Sequence, residues 1–280
     1  MDSTRTVKLR AYGESIRPFT SILGMAGTYI GGIVAHAPYL STSLLLATVV
    51  AFFIGAGCMP LNDYFDRNVD LIAHPKRPIP SKRLTPKETL HFSLITLGLA
   101  AFIALFINWL CFVLVLAAIG FLYCYEIFFK NHGFVGNVFV AFLSSMSFTF
   151  GGIAVNNPFA SLILSLITFF LFTGREILKD VEDVKGDRMT RKTLPMKIGE
   201  HQAVIVAAVF LLMAVILSPL PYLLHQLGIG YLATILLVDA LAIYVIIRNL
   251  KDLGYTTRSV SITRIAAGIG VIGIILGTIL

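Results

Sequence analysis

The chain reads as long apolar runs separated by short polar breaks. Nine runs have the length of a membrane crossing: residues 19–38, 42–60, 88–107, 109–125, 134–155, 159–178, 203–220, 228–247 and 262–280. About 20 helical residues cross ~30 Å of hydrocarbon. The runs are continuously apolar rather than alternating, which predicts helices and not a barrel. The segment ahead of the first run, MDSTRTVKLRAYGESIRP, is polar and basic, and that run is a full span, so no cleavable signal peptide is expected.

Composition agrees with the pattern. Of 280 residues 57% are hydrophobic and only 13% charged, and the mean hydropathy is +0.85. Soluble domains rarely reach that balance. The expected fold is an all-α integral membrane protein: one domain over residues 1–280, with nine transmembrane helices around a central cavity and a polar cap on the cytoplasmic side. Cys58, Cys111 and Cys124 lie within or at the ends of runs, show no ligand spacing, and read as small packing residues.

The net charge of +7 would suit nucleic acid, but its distribution argues for membrane topology instead. When alternate loops are assigned to alternate sides, all 22 Lys and Arg fall on one side. They lie in the N-terminal tail, in the loops after the second and sixth runs, at Lys130, and in a last loop region with Arg248, Lys251, Arg258 and Arg264. This positive-inside pattern places the N-terminus and the charged loops in the cytoplasm and the C-terminus outside. Topology and contact with anionic lipid account for most of these cations. The acids follow them, except Asp239 in the eighth run, which reads as a carboxyl hydrogen-bonded to a neighbouring helix.

The charged loops carry a repeated pattern. LNDYFDRNVD places Asp63, Asp66 and Asp70 at i, i+3 and i+7, and GREILKDVEDVKGD places Asp180, Asp183 and Asp187 at the same spacing, 117 residues later. The same offset carries Gly57 onto Gly174 and Pro78 onto Pro195. An internal duplication of a helical-hairpin unit is expected, with each acid set along one helix face. Aligned carboxylates repel unless cations hold them, and oxygen-rich clusters suit Mg²⁺ that draws further ligands from phosphate. Two clusters facing across a cavity would hold two ions bridged by a diphosphate. Arg67, Lys76, Arg77, Lys130, Arg175 and Lys179 would neutralise the remaining charge. A polar mouth above an apolar shaft predicts a lipid diphosphate ligand.

Asn62–Asp70 resembles the N-D-x-x-D-x-x-x-D signature of the UbiA superfamily of intramembrane prenyltransferases. HPKRPIPSKRLT is similar to that family's R-P-I-P-S-G-R-x-S segment, and REILKDVEDVKGD followed by TLP to its second aspartate-rich motif. The resemblance runs from Arg17 to Gly199 and includes the nine-helix count. It implies that Asn62, Asp66, Asp70, Asp180 and Asp187 bind Mg²⁺ and the diphosphate of a polyprenyl donor. Asp63 and Asp183 would support them. Arg17, Arg77 and Lys130 would contact phosphate oxygens, and Asn137 would lie near the site. The family often has Tyr four residues before the lysine. Here that position is Glu126, with Tyr125 beside it, and the family's S-G-R glycine is Lys82.

The implied reaction is ionisation of the donor to an allylic cation, shielded by aromatic faces such as Tyr64, Phe65 and Tyr125 and protected from water by the membrane. The run GREILKDVEDVKGDRMTRKTLP resembles the branch that adds a second geranylgeranyl chain to geranylgeranylglyceryl phosphate in archaeal ether-lipid synthesis. The alternative acceptor is an aromatic quinone precursor such as 4-hydroxybenzoate. A cation-coupled transporter would also combine a bundle, a repeat and acids, but its ligands belong near the bilayer midplane.

Overall fold

The computed structural model describes residues 2–130, 133–187 and 193–279, without the side chains of 2–4 and 185–187. The side chains of Asp187 and Lys185, and the residues Arg188, Arg191 and Lys192, lie outside what is described. Among the described residues every regular element is helical. Helix α1 (Asp2–Ser15) precedes α2 (Pro18–Val34), α3 (Thr42–Phe65) and the short α4 (Arg67–Ala73). Then come α5 (Pro86–Ala104) and α6 (Trp109–Cys124), which continues as a π-helical turn, Tyr125–Phe129. Next are α7 (Phe134–Ala154), α8 (Pro158–Asp187), α9 (Leu194–Ile198) and α10 (Glu200–Leu217). The chain closes with α11 (Leu220–Leu223), α12 (Ile229–Lys251) and α13 (Thr256–Ile279).

Among the described residues eight helical stretches are long and apolar enough to cross a membrane, and α2 is a shorter apolar helix. Each of the nine expected runs thus forms an apolar helix, and eight of them have the full length of a crossing. The run 19–38 loses its last residues because the chain leaves the helix after Val34 and turns through His36 at φ 64°. The 17 residues of α2 extend about 26 Å. The run 159–178 extends instead to Asp187, so the second acidic motif rides on α8 itself. The last run begins earlier, at Thr256, so Arg258 and Arg264 belong to α13 rather than to a loop.

Helix starts follow local chemistry. Thr85 caps α5 in a reciprocal box with Glu88: the Glu88 amide donates to Thr85 Oγ1 at 3.2 Å, and the Thr85 amide donates to Glu88 Oε2 at 2.8 Å. Pro86 fills the first helical position, where no N–H is needed. Asn108 caps α6 by accepting from the Cys111 amide at 2.8 Å.

The offset of 117 residues carries α2, α3, α5 and α6 approximately onto α7, α8, α10 and α12. Packing repeats with it. Gly57 lets α3 close on Leu97 of α5, and Gly174 lets α8 close on Leu211 and the Ala207 carbonyl of α10. Between the halves, α2 and α7 touch backbone to backbone. A methyl group on Gly31 would collide with the Phe148 carbonyl, and one on Gly151 with the Thr28 carbonyl. Gly31 and Phe148 are themselves 117 apart, as expected where equivalent helices meet at an approximate two-fold. In lipid there is little hydrophobic drive between helices, so close small-residue packing supplies the contact.

Helix α1 is strapped to the start of α5. Lys8 Nζ lies 2.6 Å from Glu88 Oε1, Arg83 lies 2.6 Å from Glu14, and Tyr12 packs on Phe92 at 4.8 Å between ring centroids. The hydrogen bond and charge of Glu88 raise the pKa of Lys8 above its ordinary value. At the opposite end of the bundle Asp239 is buried and accepts from Ser218 Oγ at 2.6 Å, while Tyr231 donates to the Ser218 carbonyl at 2.6 Å.

Candidate active site

The first acidic motif straddles a break. Helix α3 ends at Phe65, Asp66 takes φ −81° and ψ 0°, and α4 resumes at Arg67. Asp63 and Asp70, two turns apart, are both buried and share Arg77, whose Nη1 lies 2.8 and 2.7 Å from the Asp70 oxygens and 3.6 Å from Asp63. Arg17 reaches Asp63 at 2.5 Å from the α1–α2 junction, where it adopts a left-handed φ of 44°. Asp66 turns elsewhere and meets Lys130 Nζ at 2.7 Å. The single face expected for the three acids is thus divided in two, because a three-residue step leaves a helix face by about 60° and the helix is interrupted at that residue.

Lys130 ends the π-helical turn, its amide bonded to the Tyr125 carbonyl five residues back. Its ammonium bridges Asp66 and Glu126, each at 2.7 Å. Glu126 also accepts from Asn62 Nδ2 at 2.9 Å. Its side chain is 3% exposed and that of Lys130 is 7%. Sequence reasoning treated Glu126 only as a departure from the family pattern. The signal that would have found it is a Glu and a Lys four apart at the end of an otherwise apolar run.

The second motif meets the same junction. Asn137, in the first turn of α7, donates from Nδ2 to Asp180 Oδ2 at 2.7 Å. Residues 130 and 137 therefore each hold an aspartate, one from each motif. Two glycines make this possible. Gly133 has φ 54° and ψ −116°, which side chains disfavour, and a Cβ on Gly136 would stand 3.0 Å from the Phe129 carbonyl. Asp183 is exposed on α8.

Several expected phosphate contacts face other partners. Arg175 lies 2.6 Å and Lys179 3.8 Å from Glu176. Arg67 stands 4.8 Å over the Tyr64 ring and donates to the Tyr64 carbonyl, so that ring face is already covered. Tyr125 stacks on Phe139 at 5.9 Å, beside Phe129 on the same ring at 5.0 Å. Lys82 is exposed with φ 59°, which explains a glycine at that position in the family. A cavity of about 420 Å³ opens between α1 and the loop after α4, lined by Glu14, Arg17, Asp63, His74, Lys76 and Arg77 among others.

An all-helical bundle with paired aspartate motifs on equivalent helices defines a class, and the comparisons place the chain in it. The chain belongs to the UbiA prenyltransferase family, which it matches over residues 24–269. A digeranylgeranylglyceryl phosphate synthase of Methanococcus maripaludis strain C7 is 38% identical over 247 residues, covering 86% of this chain and 88% of the relative. That of Methanopyrus kandleri is 38% identical over 243 residues, covering 84% and 89%. A solved structure of digeranylgeranylglyceryl phosphate synthase has a TM-score of 0.84 at 34% identity, covering 97% of this chain and 99% of the other. A UbiA homologue of Archaeoglobus fulgidus, solved with DMAPP and Mg²⁺, shares the fold with a TM-score of 0.71 at 19% identity, over 95% and 99% of the chains. Family membership and the eight long apolar helices make this a multi-pass membrane protein.

Proposed function

We propose that this protein transfers a geranylgeranyl group from its diphosphate to geranylgeranylglyceryl phosphate, releasing diphosphate. The observation that supports the reading is the junction around Lys130 and Asn137, two residues seven apart in the chain that contact Asp66 of the first motif and Asp180 of the second. The names of the relatives support the acceptor and the chain length. The sorted charges support a cytoplasmic site and N-terminus, with the C-terminus outside.

The donor set fits Mg²⁺. It consists of carboxylate and amide oxygens, the ligands a hard cation prefers. Among the described residues no three acidic, imidazole or thiol groups converge to cage an ion; the Asp187 side chain lies outside them. Asn62, Asp66 and Asp70 on one side and Asp180, Asp183 and Asp187 on the other would hold two ions. Asp63 would support them through Arg17 and Arg77. Bound magnesium supplies positive charge that draws the breaking C1–O electron pair onto the leaving diphosphate.

The side chains account for the rest. Lys130, Arg17 and Arg77 are short reaches from the motif acids and would donate to diphosphate oxygens as negative charge builds there. Tyr125, Phe129 and Phe139 form an aromatic cluster beside Lys130 whose open ring faces would line the allylic cation. The apolar helices exclude water, so the acceptor hydroxyl captures C1 and its proton passes to the leaving diphosphate.

Purified protein with Mg²⁺, geranylgeranyl diphosphate and an acceptor panel tests the reading. Digeranylgeranylglyceryl phosphate and diphosphate should form in equal amounts. Prenylation of 4-hydroxybenzoate alone would reassign the acceptor, and no product with no donor binding would sink the enzyme reading. Asp66→Ala and Asp187→Ala should each abolish turnover while the protein stays folded in detergent.

A further inference from the structure

Glu126 is the one buried residue of the π-helical turn, and such turns in a long helix mark functional positions. One carboxylate oxygen accepts from Asn62 and the other from Lys130. An ionised carboxylate only accepts hydrogen bonds, so the prong of the Asn62 amide that faces it has to be the NH₂. The amide oxygen Oδ1 is then turned away from Glu126. A divalent cation binds an amide through its oxygen, never through its NH₂. Glu126 therefore sets the half of Asn62 that is on offer. It also holds the Lys130 ammonium, and that ammonium faces Asp66 at 2.7 Å.

We infer that Glu126 is a positioning residue: it orients Asn62 so that Oδ1 faces the divalent cation, and it anchors Lys130 against Asp66. The inference rests on the metal-dependent reading above and adds a residue to it. Groups that touch neither metal nor substrate act this way by fixing the orientation of ligands, with effects on metal affinity of about 10–100-fold. Gln at this position reverses the chemistry. If its Oε1 faces Lys130, its NH₂ faces Asn62, and Asn62 answers by turning its own oxygen inward. Asp66 still pairs with Lys130 in every variant, so the ammonium is not left without a partner.

The test uses the full chain in detergent and Mn²⁺ alone as the probe, followed by loss of the free-ion electron paramagnetic resonance signal. Wild type, Glu126→Gln, Glu126→Ala, Asn62→Ala and the double variant Asn62→Ala/Glu126→Gln are compared, with monodispersity and Tm recorded for each. Glu126→Gln should weaken Mn²⁺ binding by about tenfold or more, lower kcat and raise the Mg²⁺ concentration needed for half-maximal turnover. In the Asn62→Ala background the same change should alter affinity by less than about threefold, since only the Asn62 arm bears on the cation, while the Lys130 arm acts on kcat. Glu126→Ala gives the second variant if the Gln protein does not survive purification. Unchanged Mn²⁺ affinity in both Glu126 variants overturns the inference and leaves the proposed function standing. An equal loss with and without Asn62 overturns it too. No Mn²⁺ binding by wild type, either alone or with geranylgeranyl diphosphate present, removes the metal reading and the inference together.

Discussion

Asn137 and Asp180 are joined by a 2.7 Å hydrogen bond between α7 and α8. The bond crosses from the start of one helix to the acidic end of the next, and it fixes one carboxylate oxygen of the second motif. A hydrogen bond to a charged group contributes about 1.5–3 kcal/mol. Asn137→Ala should therefore lower Tm by a few degrees and, by releasing Asp180, lower kcat/KM by about tenfold or more. Steady-state kinetics beside a thermal unfolding curve checks this, and full activity would show that the orientation of Asp180 does not matter to turnover.

Arg77 serves two buried carboxylates, Asp63 and Asp70. Removing it strands charge in a poorly solvated place, which costs about 3–5 kcal/mol when a buried pair is broken. Arg77→Ala should reduce both stability and activity. Arg77→Lys keeps the charge but serves one carboxylate at a time, so its unfolding midpoint should fall between the two. A wild-type midpoint for Arg77→Ala would contradict the burial argument.

Lys82 holds a left-handed φ of 59° and exposes its side chain. L-residues pay about 1–2 kcal/mol there, partly offset in glycine by its greater unfolded entropy. Lys82→Gly should stabilise the protein by about 0.5–1 kcal/mol and leave turnover unchanged. A clear rise in the donor KM would instead give Lys82 a phosphate contact.

The α2–α7 contact leaves no room for a side chain at Gly31 or Gly151, since backbone carbonyls occupy the space. Gly31→Val should yield protein that aggregates on size exclusion, whereas Gly24→Ala, where nothing stands nearby, should purify normally. Equal behaviour of the two would show that this interface yields easily.

Metal removal gives a further check on the proposed site. Excess chelator should stop prenyl transfer, and added Mg²⁺ should restore it without refolding. Retained turnover in chelator would remove the ions from the mechanism.

Much of this was legible from residue spacing. The spans follow from runs of apolar residues, and the duplication follows from two acid triplets at one spacing with Gly57 and Gly174 ahead of them. The ends of the spans were less legible. Length and hydropathy do not say that α2 stops at Val34 or that α8 carries on to Asp187, because a helix end is decided by capping and by what the neighbouring chain covers. The division of Asp63 and Asp70 from Asp66 was also hidden, since spacing alone puts all three near one face.

By itself the sequence determined that the chain crosses a membrane repeatedly, that its charge gathers in alternate loops, and which two segments carry the acids. These are properties of periodicity and composition, set within a few turns of helix. Only the tertiary structure decided which donor meets which acid: Arg17 with Asp63, Lys130 with Asp66, Asn137 with Asp180, and both Asn62 and Lys130 with Glu126. Most of those partners are tens of residues apart in the chain. Their meeting depends on how closely glycine-lined helices pack, and that is a property of the whole bundle.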